Sequence, residues 1–141
     1  MGQATANPGR RRIVIADDSP EMLALVEVRL LQHYEVAGKA EDGLQLIECV
    51  RNLRPDMIVT DISMPGISGI EVLRRLRLQQ IKIPAVILTV HEDEELLDAS
   101  LSNGALGFVL KSRIDRDLLP AIQEAFEGRV FISERMRAKH I

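Results

Sequence analysis

Carboxylate, hydroxyl and ammonium side chains stand directly after four short apolar runs of this sequence. Asp17 and Asp18 follow the first run, Asp61 the second, Thr89 the third and Lys111 the fourth. Carboxylate oxygens are ligands that Mg²⁺ prefers, and phosphoryl transfer requires mainly that groups be positioned and charge be neutralised. If the four runs end at one place, these side chains suit a divalent cation together with a phosphoryl group.

The apolar runs are typical of strands that are buried on both faces of a parallel sheet. They cover residues 13–16, 57–60, 85–88 and 108–110, and a more polar run over 35–40 fits a strand at the sheet edge. In open α/β sheets, ligands bind outside the carboxyl ends of the strands. We therefore expect the side chains after the four apolar runs to share one crevice.

Amphipathic segments alternate with these runs and predict five helices. Ser19 as N-cap and Pro20 at the first helical position begin the first helix. For the last helix we predict Asp117 as the N-cap, with Pro120 near the start, where a missing N–H costs little. Five strands alternating with five helices indicate an α/β fold with a doubly wound, five-stranded parallel sheet.

Composition narrows the classes of protein to which the chain can belong. Its 141 residues, 46% of them hydrophobic, are enough for one core of ordinary size. A formal net charge of -3 provides no overall positive field for nucleic acid or an anionic membrane. No apolar run is long enough to span a membrane, and the single Cys49 cannot form an internal disulfide, which fits a reduced, cytoplasmic setting.

The two ends of the chain differ in composition from the middle. Residues 1–10 are small and polar and are predicted to be disordered, and residues 129–141 are predicted to be a C-terminal tail. Arg10, Arg11 and Arg12 precede the first strand, where they are either a solvated lead-in or an arm for nucleic acid.

The residues after the strands resemble those of bacterial response-regulator receiver domains. The resemblance covers roughly residues 12–128. It rests on the acid pair Asp17-Asp18, on Asp61 with Met64-Pro65 and Gly69, on Thr89, and on the run Gly107-Phe108-Val109-Leu110-Lys111. Each motif is weak alone, whereas the ordered set, with each member at a strand exit, is specific. The resemblance implies a flavodoxin-like fold with strand order 2-1-3-4-5 and a receiver domain over residues 11–128.

Ser19-Pro20, Leu110-Lys111-Ser112 and the segment 128–133 are similar to the LuxR/NarL-type subfamily. Members of that subfamily usually carry a helix-turn-helix output domain after the receiver. The resemblance thus implies control of transcription, with residues 129–141 as a tail or the start of a linker to an output domain absent from this chain. Contact with DNA is expected only through such a domain.

The resemblance also assigns roles to the residues of the crevice. Asp61 is similar to the phosphoacceptor that takes a phosphoryl group from a sensor histidine kinase. Mg²⁺ is the implied cofactor, with Asp18, Asp61 and the backbone carbonyl of Ser63 as direct ligands and Asp17 as a second, water-mediated partner. Lys111 is expected to reach Asp61 before phosphorylation and a phosphoryl oxygen afterwards.

A second set of residues is implied to transmit or tune the signal. Thr89 is expected to donate a hydrogen bond to the phosphoryl group. Phe108 is the candidate switch aromatic, which packs inward when Thr89 is drawn toward that group; the alternative is an ordinary core aromatic. Val90 stands where many receivers have a smaller residue, and we expect it to narrow access to the phosphoacceptor. Ser63 and His91 flank the crevice and are candidates for tuning hydrolysis, although His91 also fits an ordinary helix start.

Some questions stay open at the level of sequence. Lys111 is followed by Ser112 where many receivers have proline, which leaves the geometry of this loop undecided. Homodimerisation fits either the fourth and fifth helices or the first and fifth. The module is expected to signal rather than to act as an independent enzyme. A receiver-shaped interaction module that is never phosphorylated is one alternative. A phosphatase of the haloacid dehalogenase type is another, but it needs a second acid two residues after Asp61, where Ser63 stands.

Overall fold

The computed structural model describes residues 9–140, with side chains as far as residue 137. The disorder predicted for residues 1–10 falls mainly on residues 1–8, which lie outside the described residues. The strands are β1 (Arg12–Ala16), β2 (Glu35–Ala40), β3 (Met57–Thr60), β4 (Ala85–Thr89), β5 (Gly107–Leu110) and β6 (Phe131–Ile132). The helices are α1 (Pro20–Leu30), α2 (Gly43–Leu53), α3 (Gly69–Leu78), α4 (Glu94–Ser102), α5 (Ile114–Phe126) and α6 (Glu134–His140).

All strands pair in parallel, and the sheet has the order β2-β1-β3-β4-β5-β6. The predicted flavodoxin-like order 2-1-3-4-5 is therefore present as part of a larger sheet. The predicted count of five strands and five helices is wrong, because β6 and α6 extend the fold beyond α5. A strand of two residues is too short to give a hydrophobic period that sequence reasoning can detect.

Helices cover both faces of the sheet and bury its central strands, as parallel sheets require. Every residue of β3, β4 and β5 is buried. One core lies between the sheet and α1 with α5, around Ile15, Val59 and Leu118. The other lies between the sheet and α2, α3, α4 and α6, around Ile58 and Phe108. Rigid packing on both faces holds the strand ends in fixed positions.

Side-chain caps begin four of the helices. Ser19, as predicted, accepts a hydrogen bond from the Met22 amide, and Asp42, Ser68 and Asp93 cap α2, α3 and α4 in the same way. The predicted cap at Asp117 is wrong, because α5 begins at Ile114.

The arginine triplet contacts the C-terminal ends of three helices. A guanidinium nitrogen of Arg10 donates to the carbonyl oxygen of Leu31, and one of Arg12 donates at 2.7 Å to that of Leu53. The guanidinium of Arg11 lies over the ring of Phe126, 4.2 Å from its centroid. Positive charge is favourable beside the exposed carbonyls at a helix C-terminus. These contacts favour the lead-in interpretation over an arm for nucleic acid.

We expect Met136→Ala to lower the free energy of unfolding by about 2–5 kcal/mol, because it deletes a fully buried side chain and leaves a cavity. Urea denaturation followed by circular dichroism measures this loss. The control is Leu78→Ala, at a side chain that is 69% exposed, where the change should stay within about 0.5 kcal/mol. A loss at Met136 as small as that at Leu78 would contradict the packing of α6 against the core.

Candidate functional site

Three carboxylates meet at the carboxyl ends of β1 and β3. Asp17, Asp18 and Asp61 each offer a carboxylate oxygen, and these oxygens lie within 4.8 Å of one another. Asp17 and Asp61 are buried, at 3% and 6% exposure, whereas Asp18 is exposed. Their amides are held by the sheet: the Asp17 N–H donates to Ala40 and the Asp61 N–H to Ala16. Adjacent parallel strands thus bring the three acids together.

The ammonium of Lys111 lies between the two buried carboxylates. Its Nζ donates to Oδ2 of Asp17 at 2.7 Å and to Oδ2 of Asp61 at 3.2 Å. The residue opens a short 3-10 turn, Lys111–Arg113, that leads from β5 into α5. Residues 9–140 contain no cis peptide bond, so the loop with Ser112 is formed from trans peptides. This turn directs the Lys111 side chain back over the strand ends.

Backbone donors hold the second oxygen of each buried carboxylate. Oδ1 of Asp17 accepts the Ser19 N–H at 2.9 Å, and Oδ1 of Asp61 accepts the Ile62 N–H at 2.7 Å. A Cβ at Gly69 would lie 2.1 Å from the backbone oxygen of Asp61, so only glycine allows α3 to begin this close. The sequence identified Gly69 as part of a motif, but nothing in it revealed this contact.

The charges of the site do not balance. Burial raises the pKa of Asp61, and the neighbouring Asp17 raises it further, while Lys111 opposes both effects. Burial lowers the pKa of Lys111, but its hydrogen bonds and charge attraction with Asp17 and Asp61 outweigh that, so its pKa is raised. Lys111 therefore remains an ammonium and balances only one of the three carboxylates. The negative charge left over favours a bound cation.

Hydroxyl and imidazole groups lie at the end of β4 and on the loops that follow β3 and β4. Thr89 is fully buried, and its Oγ1 accepts the His91 N–H at 3.1 Å. The Oγ of Ser63 and Nε2 of His91 are 3.1 Å apart, within hydrogen-bonding distance. This bond joins the β3–α3 loop to the β4–α4 loop. Val90, between Thr89 and His91, is 66% exposed.

Phe108, the candidate switch aromatic, is fully buried in the middle of β5. It belongs to the same core cluster as Leu97 of α4 and Met136 of α6, and its backbone pairs with Ile132. Residues beyond α5 therefore contribute to the core in which the ring lies. Burial is common to a switch aromatic and an ordinary core aromatic, so the switching role stays a prediction.

A buried polar network that the sequence did not reveal lies at the end of β5. Ser133 is fully buried, and its Oγ donates to Oδ2 of Asp117 at 2.7 Å. The same Oδ2 accepts a hydrogen bond from Nε of Arg113 at 2.9 Å. Asp117 and Ser133 lie 16 residues apart along the chain, so no local pattern could have paired them.

Comparison with known proteins decides which family has this arrangement. A family model described as the response regulator receiver domain matches residues 13–123. The chain belongs to that family. The receiver domain is 34% identical to the nitrate/nitrite response regulator protein NarL of Escherichia coli K12 over 126 residues, which cover 88% of this chain and 58% of NarL. The chain thus spans little more than half the length of that relative.

Solved structures give the same assignment. A two-component response regulator of the LuxR family from Aurantimonas sp. SI85-9A1 superposes with a TM-score of 0.87 and 28% identity, covering 94% of this chain and 96% of that one. The isolated receiver domain of RcsB from Salmonella enterica serovar Typhimurium, with the phosphomimetic BeF3-, gives a TM-score of 0.84 and 28% identity, covering 92% and 98%. These similarities place the chain in the LuxR/NarL-type subfamily. Among the described residues, no helix is long and apolar enough to cross a membrane.

We expect Asp61→Asn to raise the free energy of unfolding at neutral pH in the presence of EDTA, because Asp17 and Asp61 share one ammonium and the variant buries one negative charge fewer. The pKa of Asp61 is raised in the folded state, so wild type gains stability relative to the variant as pH falls through that pKa. The advantage of the variant should shrink through this window and stop changing below the ordinary pKa of 3.8. Urea denaturation at a series of pH values measures it.

The exposed Asp18 provides the control for this experiment. Asp18→Asn should change stability much less, because its carboxylate remains in contact with water. A difference between Asp61→Asn and wild type that is independent of pH would contradict the electrostatic account.

Proposed function

We propose that Asp61 is the phosphoacceptor of this receiver domain and takes a phosphoryl group from a sensor histidine kinase. The observation that supports this most is the position of Lys111, whose ammonium contacts Asp61 and Asp17 at the end of the sheet. A lysine on the surface ordinarily keeps its ammonium in water, whereas the side chain of Lys111 is only 13% exposed and lies between two acids. In a phosphoryl-transfer site, the same group is required for charge neutralisation.

In the proposed step, a carboxylate oxygen of Asp61 attacks the phosphorus of the donor. The new bond joins this oxygen to phosphorus, the bond from phosphorus to the donor atom breaks, and the donor leaves with its electron pair. Lys111 then shifts from the carboxylates toward a phosphoryl oxygen, and Thr89 donates its hydroxyl hydrogen to another. Ile62, whose N–H is 2.7 Å from Oδ1 of Asp61, fixes the orientation of the nucleophile.

The three carboxylates, which share a single ammonium, form a set of oxygen ligands that fits Mg²⁺. We assign Asp18, Asp61 and the backbone carbonyl of Ser63 as its direct ligands, with Asp17 acting through water. Mg²⁺, when bound, neutralises charge on the acids and on the incoming phosphoryl oxygens. Asp17 is hydrogen-bonded to Lys111 and to the Ser19 amide, so this chain itself fixes the orientation of its carboxylate.

The proposed output is a change in the binding surface around α4, β5 and α5. Thr89 of β4 is paired with Leu110 of β5, and Phe108 of β5 is paired with Ile87 of β4. A shift at the end of one strand is therefore transmitted to the other strand. By analogy with its LuxR/NarL-type relatives, we propose a role in transcription, in which DNA is bound through an output domain. Homodimerisation of the receiver is part of the same proposal. The division into a receiver over 11–128 and a tail over 129–141 stays a prediction, as does a cytoplasmic location.

The proposal is tested by incubating the full chain with Mg²⁺ and acetyl phosphate and measuring its intact mass. Wild type should gain a single phosphoryl group, and Asp61→Asn should gain none. Asp115→Asn makes the same chemical change at an exposed position on α5 and should be phosphorylated like wild type. Absence of any addition would instead indicate an interaction module that is never phosphorylated. Continued release of phosphate from many substrates would indicate a phosphatase.

Val90 is proposed to slow exchange of the phosphoryl group by narrowing access to Asp61. We expect Val90→Ala to shorten the lifetime of the acyl phosphate, on the order of tenfold if it removes a barrier of ~1.4 kcal/mol. Decay of the phosphorylated mass after removal of acetyl phosphate measures this lifetime. Val130→Ala is the matched control, since Val130 is similarly exposed at 53% and lies beyond α5. An unchanged lifetime in Val90→Ala would show that Val90 does not limit access.

The contact between Ser63 and His91 is proposed to tune the same lifetime. Their bond ties together the two loops that flank Asp61, so it limits how far the loop carrying Thr89 can open toward water. The same decay experiment measures the lifetime of the acyl phosphate in Ser63→Ala, for comparison with that in Val90→Ala.

A further inference from the structure

Residues 131–137, hereafter the C-terminal strap, cover the outer edge of β5. The Phe131 N–H donates to the carbonyl of Leu106 at 2.8 Å, and the Ser133 N–H donates to that of Phe108 at 2.9 Å. Without the strap, β5 would be an edge strand with unpaired backbone groups, which readily bind another segment. The strap thus occupies the edge of a strand that belongs to the proposed output surface.

A polar contact fixes the strap at the end of β5. The Oγ of Ser133 accepts the Leu110 N–H at 3.1 Å and donates to the buried Asp117. Breaking this arrangement in place would leave buried polar groups without hydrogen-bond partners, which is unfavourable. Leu110 directly precedes Lys111. The position of the strap is therefore tied to the residue next to the ammonium of the site.

Two further contacts fix α6, the helical part of the strap. Met136 is fully buried in the same core cluster as Phe108. The guanidinium of Arg135 lies 3.3 Å from a carboxylate oxygen of Glu92, on the loop between β4 and α4. Glu92 directly follows His91. The strap thus also contacts the loop that follows Thr89.

Movement of Thr89 would carry this loop with it. The His91 N–H is bonded to Oγ1 of Thr89, so a hydroxyl drawn toward a phosphoryl group pulls the adjacent backbone along. Glu92 would then move relative to Arg135. The ion pair between these two residues is formed in the present arrangement of the loop, so such a movement would disturb it. A change at Lys111 would act in the same way through Leu110 and Ser133. Both contacts oppose rearrangement of the site as long as the strap is attached.

We propose that the C-terminal strap is a detachable intramolecular cover of the edge of β5, and that phosphorylation of Asp61 weakens its attachment. This inference rests on the proposed function of Asp61. Detachment exposes the edge of β5 and the surroundings of Phe108. Coupling between two equilibria is reciprocal, so a weakened strap must also favour the phosphorylated arrangement of the site.

Hydrogen exchange of the full chain tests the proposal, with beryllofluoride and Mg²⁺ in place of the phosphoryl group. Exchange of the Phe131 and Ser133 amides should accelerate by about tenfold on binding, as is typical of coupled sites. Amides within α2 serve as the internal reference and should not change. Asp61→Asn, which lacks the proposed acceptor, should show no acceleration.

The same experiment separates the two proposals. Binding of beryllofluoride is measured independently by ¹⁹F NMR. Unchanged or slower exchange of the strap amides in protein that has bound beryllofluoride would overturn the strap proposal and leave the role of Asp61 intact. If wild type binds no beryllofluoride, the proposed function fails and the strap proposal fails with it.

Reciprocity supplies a second measurement. Arg135→Ala removes one exposed ion pair and should tighten beryllofluoride binding by about twofold, whereas Met136→Ala should tighten it by more. The control Arg51→Ala, at an exposed arginine of α2 that contacts Gln79, should bind as wild type does. Each variant is first shown to be folded by circular dichroism at the assay temperature. Equal or weaker binding by both strap variants would overturn the proposal.

Discussion

The placement of one ammonium between two buried carboxylates is the interaction on which the rest of the structure depends. Without Lys111, Asp17 and Asp61 would face each other in a poorly solvated pocket, where an unpaired charge costs several kcal/mol per ion. The lysine directly follows β5 and the acids directly follow β1 and β3, which are separated from β5 by β4. Only a parallel sheet with all its carboxyl ends at one edge brings these groups within hydrogen-bonding distance.

The imbalance of charge at this edge connects the proposed cation site with the proposed phosphoacceptor. Asp61 is a buried carboxylate whose pKa is raised, so its charged form is costly unless positive charge is nearby. Lys111 supplies part of that charge and a bound divalent cation would supply the rest, and the same two groups would neutralise phosphoryl oxygens. The features that make the site unfavourable when empty are therefore those that phosphoryl transfer requires.

The sequence was sufficient to predict the central part of the fold and the composition of the site. Apolar runs buried on both faces mark β1, β3, β4 and β5, and the polar residue after each run must lie at the common edge. Partners formed across long distances in the chain could not be predicted in this way. Asp117 has the local context of an N-cap, yet its carboxylate bonds to Ser133, and the helix starts three residues earlier, at Ile114. The two-residue β6 is too short to show a hydrophobic period, and it forms a strand only because it pairs with the edge of β5, which is distant in the chain.

Residues that contact the acidic site directly adjoin, along the chain, residues that contact the outer loops and the C-terminal strap. The Leu110 N–H bonds to the strap while the next side chain, Lys111, reaches Asp61. Thr89 ends β4, and its hydroxyl holds the amide of His91, whose ring contacts Ser63 on the neighbouring loop. The packed strands behind these residues resist deformation, because protein interiors are as dense as organic crystals. In the mechanism proposed here, a displacement at the strand ends would therefore pass outward through the loops and the turn at Lys111, next to which the C-terminal strap is attached, and the core would absorb little of it.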